Sequence, residues 1–421
     1  MKNVKDFGAV GDGITLDTKA IQDAIDSGGG VYIPEGTYLT GTLYLKSHGG
    51  LYLAPGAKLL ASHDRNDYNA LDFCPQNAQF SAEFMVGTHL ITAVEQEDIF
   101  ISGFGTIDGD SHFWVNESYK SSYCEFFSHP PMSANRPGQM IFFAECKNVK
   151  VENINLLHSP FWHLFFHGCT EVIVKGVKIK GEVKQWVNDG IDIDCCSNVT
   201  VSDCIIETGD DGITLRANGR RLTKKDSVCE NIVISNCVIT SYLDYGIRIG
   251  VGNGIIRNCL FSNLIIKNSL SGIGITCRFS PEGDCTSVEN LCFSNMIIEA
   301  LRAYEIKISN MQSHPPLKNF GYIKDITFNN VYAKTNRECY ILGFENALCS
   351  DITFNNSKLE FIPENPDHDR FPCDFPDVGK HNCAFYINKA DNIAFNNFQI
   401  DKKDHLEHSV FLENSKNFLE L

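Results

Sequence analysis

The sequence predicts an all-β fold, a right-handed single-stranded parallel β-helix with a short N-terminal capping helix. Two observations lead to this prediction. Short segments rich in β-branched and aromatic residues alternate apolar with polar positions and are separated by Asn, Asp and Gly. Such segments recur every 23 to 41 residues, a spacing typical of a solenoid whose coils stack on one another. The recurring segments begin at Asn148, Glu171, Asn198, Asn231, Asn258, Asn290, Asp325, Asp351 and Asn392.

Asn and Asp open most of these segments. Both residues tolerate the left-handed backbone conformation that a sharp turn requires. Where Asn repeats at equivalent places in stacked coils, the side-chain amides are expected to form hydrogen-bonded ladders along the stack.

We expect residues 1–421 to form a single domain, since each coil of a solenoid buries its apolar face against the next coil. Before the repeats begin, residues 17–25 predict a short amphipathic helix with Asp17 as its N-cap, which would cover the open edge of the first coil. Two stretches, 108–137 and 362–381, fit the repeat poorly. We interpret both as loop insertions beside the binding face, where they either set specificity or merely decorate the solenoid.

The composition is that of a soluble globular protein, with 43% hydrophobic and 21% charged residues. No apolar run approaches the roughly 18 residues of a membrane-spanning helix, so no membrane partner is expected. A net charge of −16 argues against nucleic acid as a partner, although an acidic substrate is compatible with a local cluster of basic residues. The first residues, 1–6, lack the long apolar segment of a secretory signal. We therefore expect a cytoplasmic protein, or a secreted one if the natural chain begins earlier.

The 17 cysteines contain no Cys-x-x-Cys pair and no group at zinc-ligand spacing, which argues against metal binding through sulfur. Several lie at equivalent places in the repeats: Cys146, Cys169, Cys196 and Cys229. This placement favours buried, stacked small side chains in a reducing compartment over a disulfide framework.

Four segments share the pattern x-Gly-Ile-x-(Ile/Leu)-x and are interpreted as the same strand in successive coils. They span residues 189–194, 211–216, 245–250 and 271–276. Because side chains alternate along a strand, the Ile and Leu positions face inward and the residues between them face outward in columns. The first column contains Asp189, Asp211, Tyr245 and Ser271, the second Asp192, Thr214, Arg248 and Gly274, and the third Asp194, Arg216, Gly250 and Thr276. Extending the register places Trp162 ahead of Asp189, and Lys307 beyond Gly274 in the second column.

The acidic residues in these columns are candidates for catalysis. Adjacent coils lie about 4.8 Å apart, so Asp189 and Asp211 are expected to be neighbours, with Asp210 beside them. At that separation two carboxylates repel by roughly 3 kcal/mol at an effective dielectric near 20, enough to raise the pKa of one of them. One protonated acid beside ionised bases is the arrangement that glycoside hydrolysis needs. For Asp192 and Asp194 we favour a structural role in capping backbone groups instead.

The two acidic motifs, Asn188-Asp189-Gly190 and Gly209-Asp210-Asp211, resemble those of the polygalacturonase family, glycoside hydrolase family 28, which has the pectin-lyase-like β-helix fold. Residues 6–13, 29–38 and 159–162 are also similar to bacterial members, and the resemblance covers about residues 4–330. It implies an inverting glycoside hydrolase of pectic or related oligosaccharides, without metal or cofactor. By position, Asp210 would be the general acid, while Asp189 and Asp211 would activate the water.

The chain departs from the family pattern at three places. The family's Gly-His-Gly falls on Asp244-Tyr245-Gly246, its Arg-Ile-Lys falls on Gly274-Ile275-Thr276, and its Asn-Thr falls on Val187-Asn188. These departures concern the substrate more than the type of reaction.

Other side chains could compensate for the missing groups. Arg248 and Lys307 lie one coil before and one coil after Gly274 in the predicted second column, so a displaced carboxylate clamp is one interpretation. The other is that Arg248 and Arg216 neutralise nearby aspartates. Tyr245 could donate its phenol where the family has histidine, but a stacking surface for sugar is the favoured interpretation. Trp162 is a second candidate for stacking on sugar, although simple packing is favoured there. The candidate substrate-binding residues are therefore Asn188, Trp162, Arg216, Tyr245, Arg248, Arg278 and Lys307.

Two other function classes fit the same fold. A polysaccharide lyase or fructan-transforming enzyme would use the clustered carboxylates to hold calcium and an Arg or Lys as a base. A non-catalytic glycan-binding solenoid would need no acid machinery. Within the hydrolase interpretation, the two insertions predict an exo-acting enzyme, because loops of this length can close one end of a groove.

Overall fold

The computed structural model describes residues 1–77, 87–114, 136–183, 185, 187–279, 284–308, 321–344, 348–362, 381–402 and 406–420. They form two compact units. Unit 1 comprises Met1–Thr208 and Arg221–Lys225, and unit 2 comprises Gly209–Arg220 and Asp226–Leu421. Each unit is built from short β-strands that pair in parallel with the equivalent strands of the neighbouring coil.

Unit 1 contains nineteen strands in its described residues. They are β1 (Lys2–Asn3), β2 (Asp12–Leu16), β3 (Gly30–Ile33), β4 (Gly36–Thr40), β5 (Leu43–Tyr44), β6 (Gly49–Leu53), β7 (Ala57–Ala61), β8 (Ile91–Val94), β9 (Glu97–Gly103), β10 (Thr106–Asp108), β11 (Ile141–Ala144), β12 (Lys147–Glu152), β13 (Asn155–Leu157), β14 (Leu164–His167), β15 (Thr170–Lys175), β16 (Lys178–Lys180), β17 (Ile191–Asp194), β18 (Ser197–Ser202) and β19 (Ile205–Thr208). From β8 onward each coil has three strands. The first strands of the coils pair in the order β8, β11, β14 and β17.

The core of unit 1 is formed by the apolar residues of the predicted alternation between apolar and polar positions. Ile141 pairs with Ile91 and with Leu164, and all three side chains are buried. In the same strands Phe143 stacks on Phe166, with ring centroids 5.6 Å apart. Equivalent residues of adjacent coils therefore stack along the unit, as repeats of similar sequence require.

The predicted N-terminal helix is present as α1 (Thr18–Asp26), which buries Ile21, Ala24 and Ile25. Asp17 precedes it, but its side chain makes no capping bond to the helix. Its carboxylate instead accepts hydrogen bonds from the backbone N–H groups of Val10 and Gly11, at 2.6 and 2.9 Å. The predicted cap residue therefore fastens the preceding loop to the start of the helix.

Unit 2 contains thirteen strands in its described residues. They are β20 (Ile213–Ala217), β21 (Val228–Ser235), β22 (Val238–Ser241), β23 (Tyr245–Gly252), β24 (Ile255–Phe279), β25 (Ser287–Ile308), β26 (Ile323–Thr335), β27 (Cys339–Leu342), β28 (Cys349–Phe361), β29 (Cys383–Asn388), β30 (Ala390–Asp401), β31 (His408–Glu413) and β32 (Lys416–Glu420). The long strand β24 pairs with β21, β22 and β23 in turn. It therefore corresponds to three successive strands of the coil before it.

Two kinds of stack hold the coils of unit 2 in register. Inside, the rings of Phe261, Phe293, Phe328 and Phe354 stack in sequence, with centroids 4.5 to 4.8 Å apart. At the turns, Asn residues in the left-handed conformation form the expected amide ladders. One ladder joins Asn236, Asn263, Asn295 and Asn330 through bonds of 3.1 to 3.3 Å.

The described cysteines form no disulfide, and most of them are buried, as predicted. In the described residues the remaining helices are short: α2 (Ser111–Trp114) and 3-10 helices at Val4–Phe7, Arg65–Asp67, Pro75–Asn77 and Gly219–Arg221. None of the described helices has the length and apolar character needed to cross a membrane. Of the two predicted insertions, 115–135 and 363–380 lie outside the described residues.

Candidate active site

Asp189 lies in the loop that enters β17 and is 2% exposed. The buried ring of His163 fixes the backbone at this point. Its Nδ1 donates to the Asp189 carbonyl oxygen at 2.9 Å, and its Nε2 accepts from the Ser159 N–H at 3.3 Å. Burial lowers the pKa of His163 to about 4, so the ring is neutral and these two bonds define its tautomer. His163 is therefore a positioning residue for Asp189.

The residue two before Asp189 has an unusual backbone. Val187 has φ 69°, in the left-handed region. A β-branched side chain is strained there, and such residues concentrate at functional sites. Asn188, which follows, is buried, and its side-chain amide donates to the carbonyl oxygen of Glu182 at 2.8 Å. Asn188 thus fastens the loop that carries Asp189.

Two other outward acids of unit 1, Asp192 and Asp194, are buried on β17. An oxygen of Asp194 lies 3.4 Å from Nδ1 of His167, and the Cys195 thiol donates to its other oxygen at 3.2 Å. Burial lowers the pKa of His167 and keeps it neutral. These contacts fit the structural role favoured for Asp194.

Trp162, a candidate stacking surface for sugar, is 3% exposed. Its ring packs against Phe161 and Phe165, each with a centroid separation of 5.1 Å. The packing interpretation therefore describes this side chain better than the sugar-stacking one.

In unit 2, Asp210 and Asp211 come at the entrance to β20. Asp211 is fully buried, and one of its oxygens accepts from Nη1 of Arg248 at 3.0 Å. Thr214 approaches the same oxygen at 3.4 Å, while the Tyr245 N–H reaches the other oxygen at 3.3 Å. The carboxylate of Asp211 is thus held by donors from two coils.

Asp210 is only partly buried. One of its carboxylate oxygens accepts from the Asp211 N–H at 3.0 Å, and its carbonyl oxygen accepts from the Ser241 hydroxyl at 2.7 Å. The pair therefore combines a fixed, buried carboxylate with a more accessible carboxyl group.

Asp244 is a third acid near this pair. Its pKa is raised well above its usual range, first by burial and then by the charges of Asp211 and Asp210, with Arg248 opposing them. The raised pKa predicted within the group Asp189, Asp210 and Asp211 stays a prediction, and the acid whose pKa the neighbouring carboxylates raise is Asp244. Arg248 itself loses solvation on burial, but Asp211 and Asp244 outweigh this and raise its pKa, so it remains charged.

Tyr245 and Gly274 are packed together. A Cβ atom built on Gly274 would lie 2.3 Å from Cδ1 of Tyr245, so the tyrosine ring covers the outward face of the glycine. The guanidinium of Arg248 lies 5.5 Å from the centre of the same ring. The two departures from the family pattern at 245 and 274 are therefore one arrangement, in which only glycine leaves room for the ring.

The register beyond Gly274 differs from the prediction. Gly274 pairs with Glu305, and Thr276 pairs with Lys307. Lys307 therefore belongs to the third column, and Glu305 takes the place in the second column that was predicted for Lys307. The third column contains a second irregularity, since Arg216 pairs with Val251 instead of Gly250.

Glu305 is 4% exposed and accepts hydrogen bonds from five side chains. Ser271 and Nη1 of Arg302 donate to one oxygen at 2.5 and 3.1 Å, while Tyr245 and Lys307 donate to the other at 2.9 and 3.0 Å, as does the Tyr340 hydroxyl. Burial acts to raise the pKa of Glu305, but Lys307 and Arg302 outweigh it and lower the pKa far below its usual range. Glu305 is therefore an anion at neutral pH.

The remaining basic candidates for binding a substrate carboxylate are Arg216, Lys307 and Arg278, and their surroundings give less support to that role. Arg216 is buried in β20, and Lys307 is 4% exposed and bound to Glu305 and to Tyr340. The side chain of Arg278 lies outside the described residues.

One group in unit 1 has the composition of a cation site. Nitrogen and oxygen ligand atoms of His112, His158 and Glu182 lie within 4.8 Å of one another. Nδ1 of His158 is also 3.2 Å from a carboxylate oxygen of Asp108, a contact that orients metal-binding histidines in other proteins. These residues could hold a divalent cation.

Comparison with known proteins identifies the family. The model of "Glycosyl hydrolases family 28" matches residues 76–370. The chain belongs to this family. Residues 1–47 match a second model, "Rhamnogalacturonase A/epimerase, pectate lyase-like".

Individual relatives agree. A probable polygalacturonase of Vitis vinifera is 28% identical over 348 residues, which cover 78% of this chain and 68% of the relative. The family 28 exopolygalacturonase of Yersinia enterocolitica superposes with a TM-score of 0.75 at 21% identity, covering 98% of this chain and 78% of the other. An exopolygalacturonase of Thermotoga maritima gives 0.74 at 19% identity, covering 95% and 91%. The right-handed β-helix fold and the assignment as a glycoside hydrolase are thus confirmed.

From the sequence no role was predicted for Glu305 or Arg302, and Asp244 was noted in the segment that takes the place of the family's Gly-His-Gly. The segment 302–307 lacks the Gly-Ile pair that marked the other strands. The alternation of Tyr304 and Ile306 with Glu305 was the only available signal, and it places Glu305 outward.

Proposed function

We propose that this family 28 chain is an inverting glycoside hydrolase of pectic or related oligosaccharides. In this proposal Asp210 is the general acid, and Asp189 and Asp211 activate the attacking water. The observation that carries it is the arrangement in unit 2 of a partly exposed carboxyl at Asp210 beside a buried Asp211 carboxylate that is fixed by Arg248.

The proposed step is a single displacement. The Asp210 carboxyl gives its proton to the glycosidic oxygen while the bond from that oxygen to the anomeric carbon breaks. Water forms the new bond to the anomeric carbon from the opposite face and loses a proton to the carboxylate of Asp211 or Asp189. The leaving sugar departs with the proton of Asp210, and the anomeric configuration is inverted.

Asp189 enters this proposal from the sequence register, since it holds the same x-Gly-Ile position as Asp211 one coil earlier. The firm attachment of its backbone to the neutral His163 ring supports the assignment, because a base must be held within about 0.5 Å of its working geometry.

The substrate class is proposed from the relatives. The Vitis vinifera protein and an endo-polygalacturonase of Pectobacterium parmentieri, 27% identical over 357 residues, are named for activity on polygalacturonan. Exo action is a further part of the proposal. It rests on the two insertions predicted from the sequence and is in keeping with the names of the Yersinia and Thermotoga enzymes.

The test is to incubate the chain with a panel of pectic oligosaccharides, to identify the products by mass and to follow the first-formed anomer by NMR. Inverted products with a mass gain of one water support the proposal. Unsaturated products that absorb ultraviolet light, together with loss of activity in a calcium chelator, would identify a lyase and contradict it. A rapid fall in the viscosity of polymeric pectin would contradict exo action alone.

A further inference from the structure

The cluster around Glu305 holds two cations, both on β25 of unit 2. Arg302 and Lys307 are both almost fully buried and donate to opposite oxygens of Glu305. Each cation also lies over the ring of Tyr340, 5.0 and 5.3 Å from its centre. Both cations are therefore already bound to a carboxylate of the protein.

The next cation along these strands is occupied as well. Arg248, in the second column two coils before Glu305, donates to Asp211 at 3.0 Å. A substrate carboxylate that approached Arg248, Arg302 or Lys307 would have to displace a protein carboxylate that already makes short, charge-assisted bonds. The incoming carboxylate would lose its hydration, and the ion pair that it forms would only replace the one that the protein loses.

The side chain that covers Gly274 is that of Tyr245, and it is uncharged. The ring of Tyr245 lies across Gly274 and reaches Glu305 through its hydroxyl. Burial first, and then the Glu305 charge, raises the pKa of Tyr245 well above its usual range, so the phenol keeps its proton. Aromatic faces of this kind stack on the apolar faces of sugar rings, whereas a carboxylate gains little from them.

From these contacts we infer that the position formed by Tyr245, Gly274 and Glu305 binds an uncharged sugar residue, and that Glu305 determines this specificity. Its carboxylate takes the place that an acidic sugar would need beside Arg302 and Lys307. The inference rests on the proposed function and narrows it: in the pectic substrate, the residue bound here is a neutral sugar or an esterified uronate.

The test uses two ligands that share one sugar backbone, trigalacturonate with its charged carboxylates and its fully methyl-esterified, uncharged form. Binding is measured by calorimetry in an Asp210→Asn background, which prevents turnover. We expect the esterified ligand to bind about tenfold or more tightly than the free acid. In the Asp210→Asn/Glu305→Gln protein the preference should reverse, because Arg302 and Lys307 lose their internal anion.

Glu289→Gln serves as the control. Glu289 lies in the same strand, β25, and accepts from Tyr322 and Lys324 at 2.9 and 3.2 Å, but it belongs to a different part of the strand from the Glu305 cluster. This change should leave the ratio of the two affinities as it is. If the Glu305→Gln protein does not fold, the two ligands compared in the Asp210→Asn protein still test the preference for an uncharged residue, and equal or tighter binding of the free acid would overturn it.

The outcomes separate this inference from the proposed function. Hydrolysis of the pectic panel combined with equal or tighter binding of the free acid would overturn the inference alone. An unchanged ligand preference in a folded Glu305→Gln protein would overturn it too. Absence of both hydrolysis and binding would overturn the proposed function, and the inference with it.

Discussion

Two sites in unit 2 are both built around carboxylate groups. They differ in the donors that surround those groups and in the direction in which the pKa is shifted. At the entrance to β20, Arg248 donates to Asp211, and the pKa of the nearby Asp244 is raised first by burial and then by the charges of Asp211 and Asp210. In β25, a single carboxylate at Glu305 receives two cations and three hydroxyl groups, and its pKa falls.

The comparison teaches that the ratio of acids to donors decides what a buried carboxylate can do. An excess of acids raises the pKa of one member of the group, as it does at Asp244. An excess of donors fixes the negative charge and removes it from proton transfer. The first site is suited to chemistry and the second to holding structure and charge.

Removing the acid of the first site should have the largest effect. Asp210→Asn is expected to lower kcat by about 10²- to 10⁴-fold, because the amide cannot donate the proton to the leaving oxygen. Folding should be preserved, since the amide oxygen can still accept from the Asp211 N–H. Steady-state kinetics on the best pectic oligosaccharide, with circular dichroism for folding, would measure both.

The matched control is Asp325→Asn, at an exposed turn position with φ 57°, where Asn is well tolerated. Its activity should equal that of the parent protein. An Asp210→Asn protein with more than about a tenth of the parent activity would remove Asp210 from the acid role.

At the second site the change to make is Glu305→Ala. Leaving two buried cations without their anion is expected to lower the free energy of unfolding by about 3–5 kcal/mol. Urea titration followed by fluorescence would measure it. The equivalent change at the more exposed Glu289 should have a much smaller effect. Similar losses at both positions would mean that the Glu305 cluster is energetically ordinary.

The same pair of proteins gives a pH test. Because the folded-state pKa of Glu305 is lowered, its contribution is fully present above the unfolded pKa of 4.5 and is lost as pH falls toward the folded pKa. The stability difference between the parent and Glu305→Ala should therefore stay constant from about pH 6 to 8 and shrink below about pH 4. A difference that grows on acidification would reverse the assigned sign.

The link between the two sites can be tested at Gly274. Gly274→Ala places a methyl group against the Tyr245 ring and should cost about 1–3 kcal/mol of stability. In a Tyr245→Ala background the same change should cost much less, so the two effects should not add. Thermal unfolding of the four proteins of this cycle would measure the coupling. Additive effects would mean that the ring relaxes freely away from Gly274.

The smallest change removes one hydroxyl. Tyr245→Phe keeps the ring over Gly274 but deletes one of the five donors to Glu305, which should cost about 1 kcal/mol. Differential scanning calorimetry would detect the corresponding fall in Tm. Four donors to Glu305 remain in this protein. A loss of stability as large as that of Glu305→Ala would therefore contradict the description of Glu305 as held by five donors together.

The fold could be predicted because its signals repeat. Alternation of apolar residues, with a Gly-Ile pair in three successive segments of unit 2, predicted the pairing of Ile213, Ile247 and Ile273 in adjacent coils. The turn positions of the Asn ladders were readable for the same reason.

The Glu305 site could not be predicted, and the reason is geometric. Strand β25 lacks the Gly-Ile pair and pairs with β24 through a register shift between Ile266 and Ser269. Residues two apart in a strand face the same side, so the alternation looks the same when the register is shifted by two residues. For this reason Lys307 was predicted at the place that Glu305 occupies. Nor does sequence indicate that one tyrosine ring and one glycine fit together, because that contact depends on the packing of two coils.

The contact between Tyr245 and Gly274 also restricts the order in which residues 245 and 274 can be substituted. A longer side chain at 274 collides with the ring, whereas a smaller residue at 245 can be accepted while 274 remains glycine. A lineage that moved toward or away from this arrangement would therefore have had only one viable sequence of single substitutions. Change at this position would therefore be expected to begin at 245, since every side chain introduced at 274 alone meets the tyrosine ring.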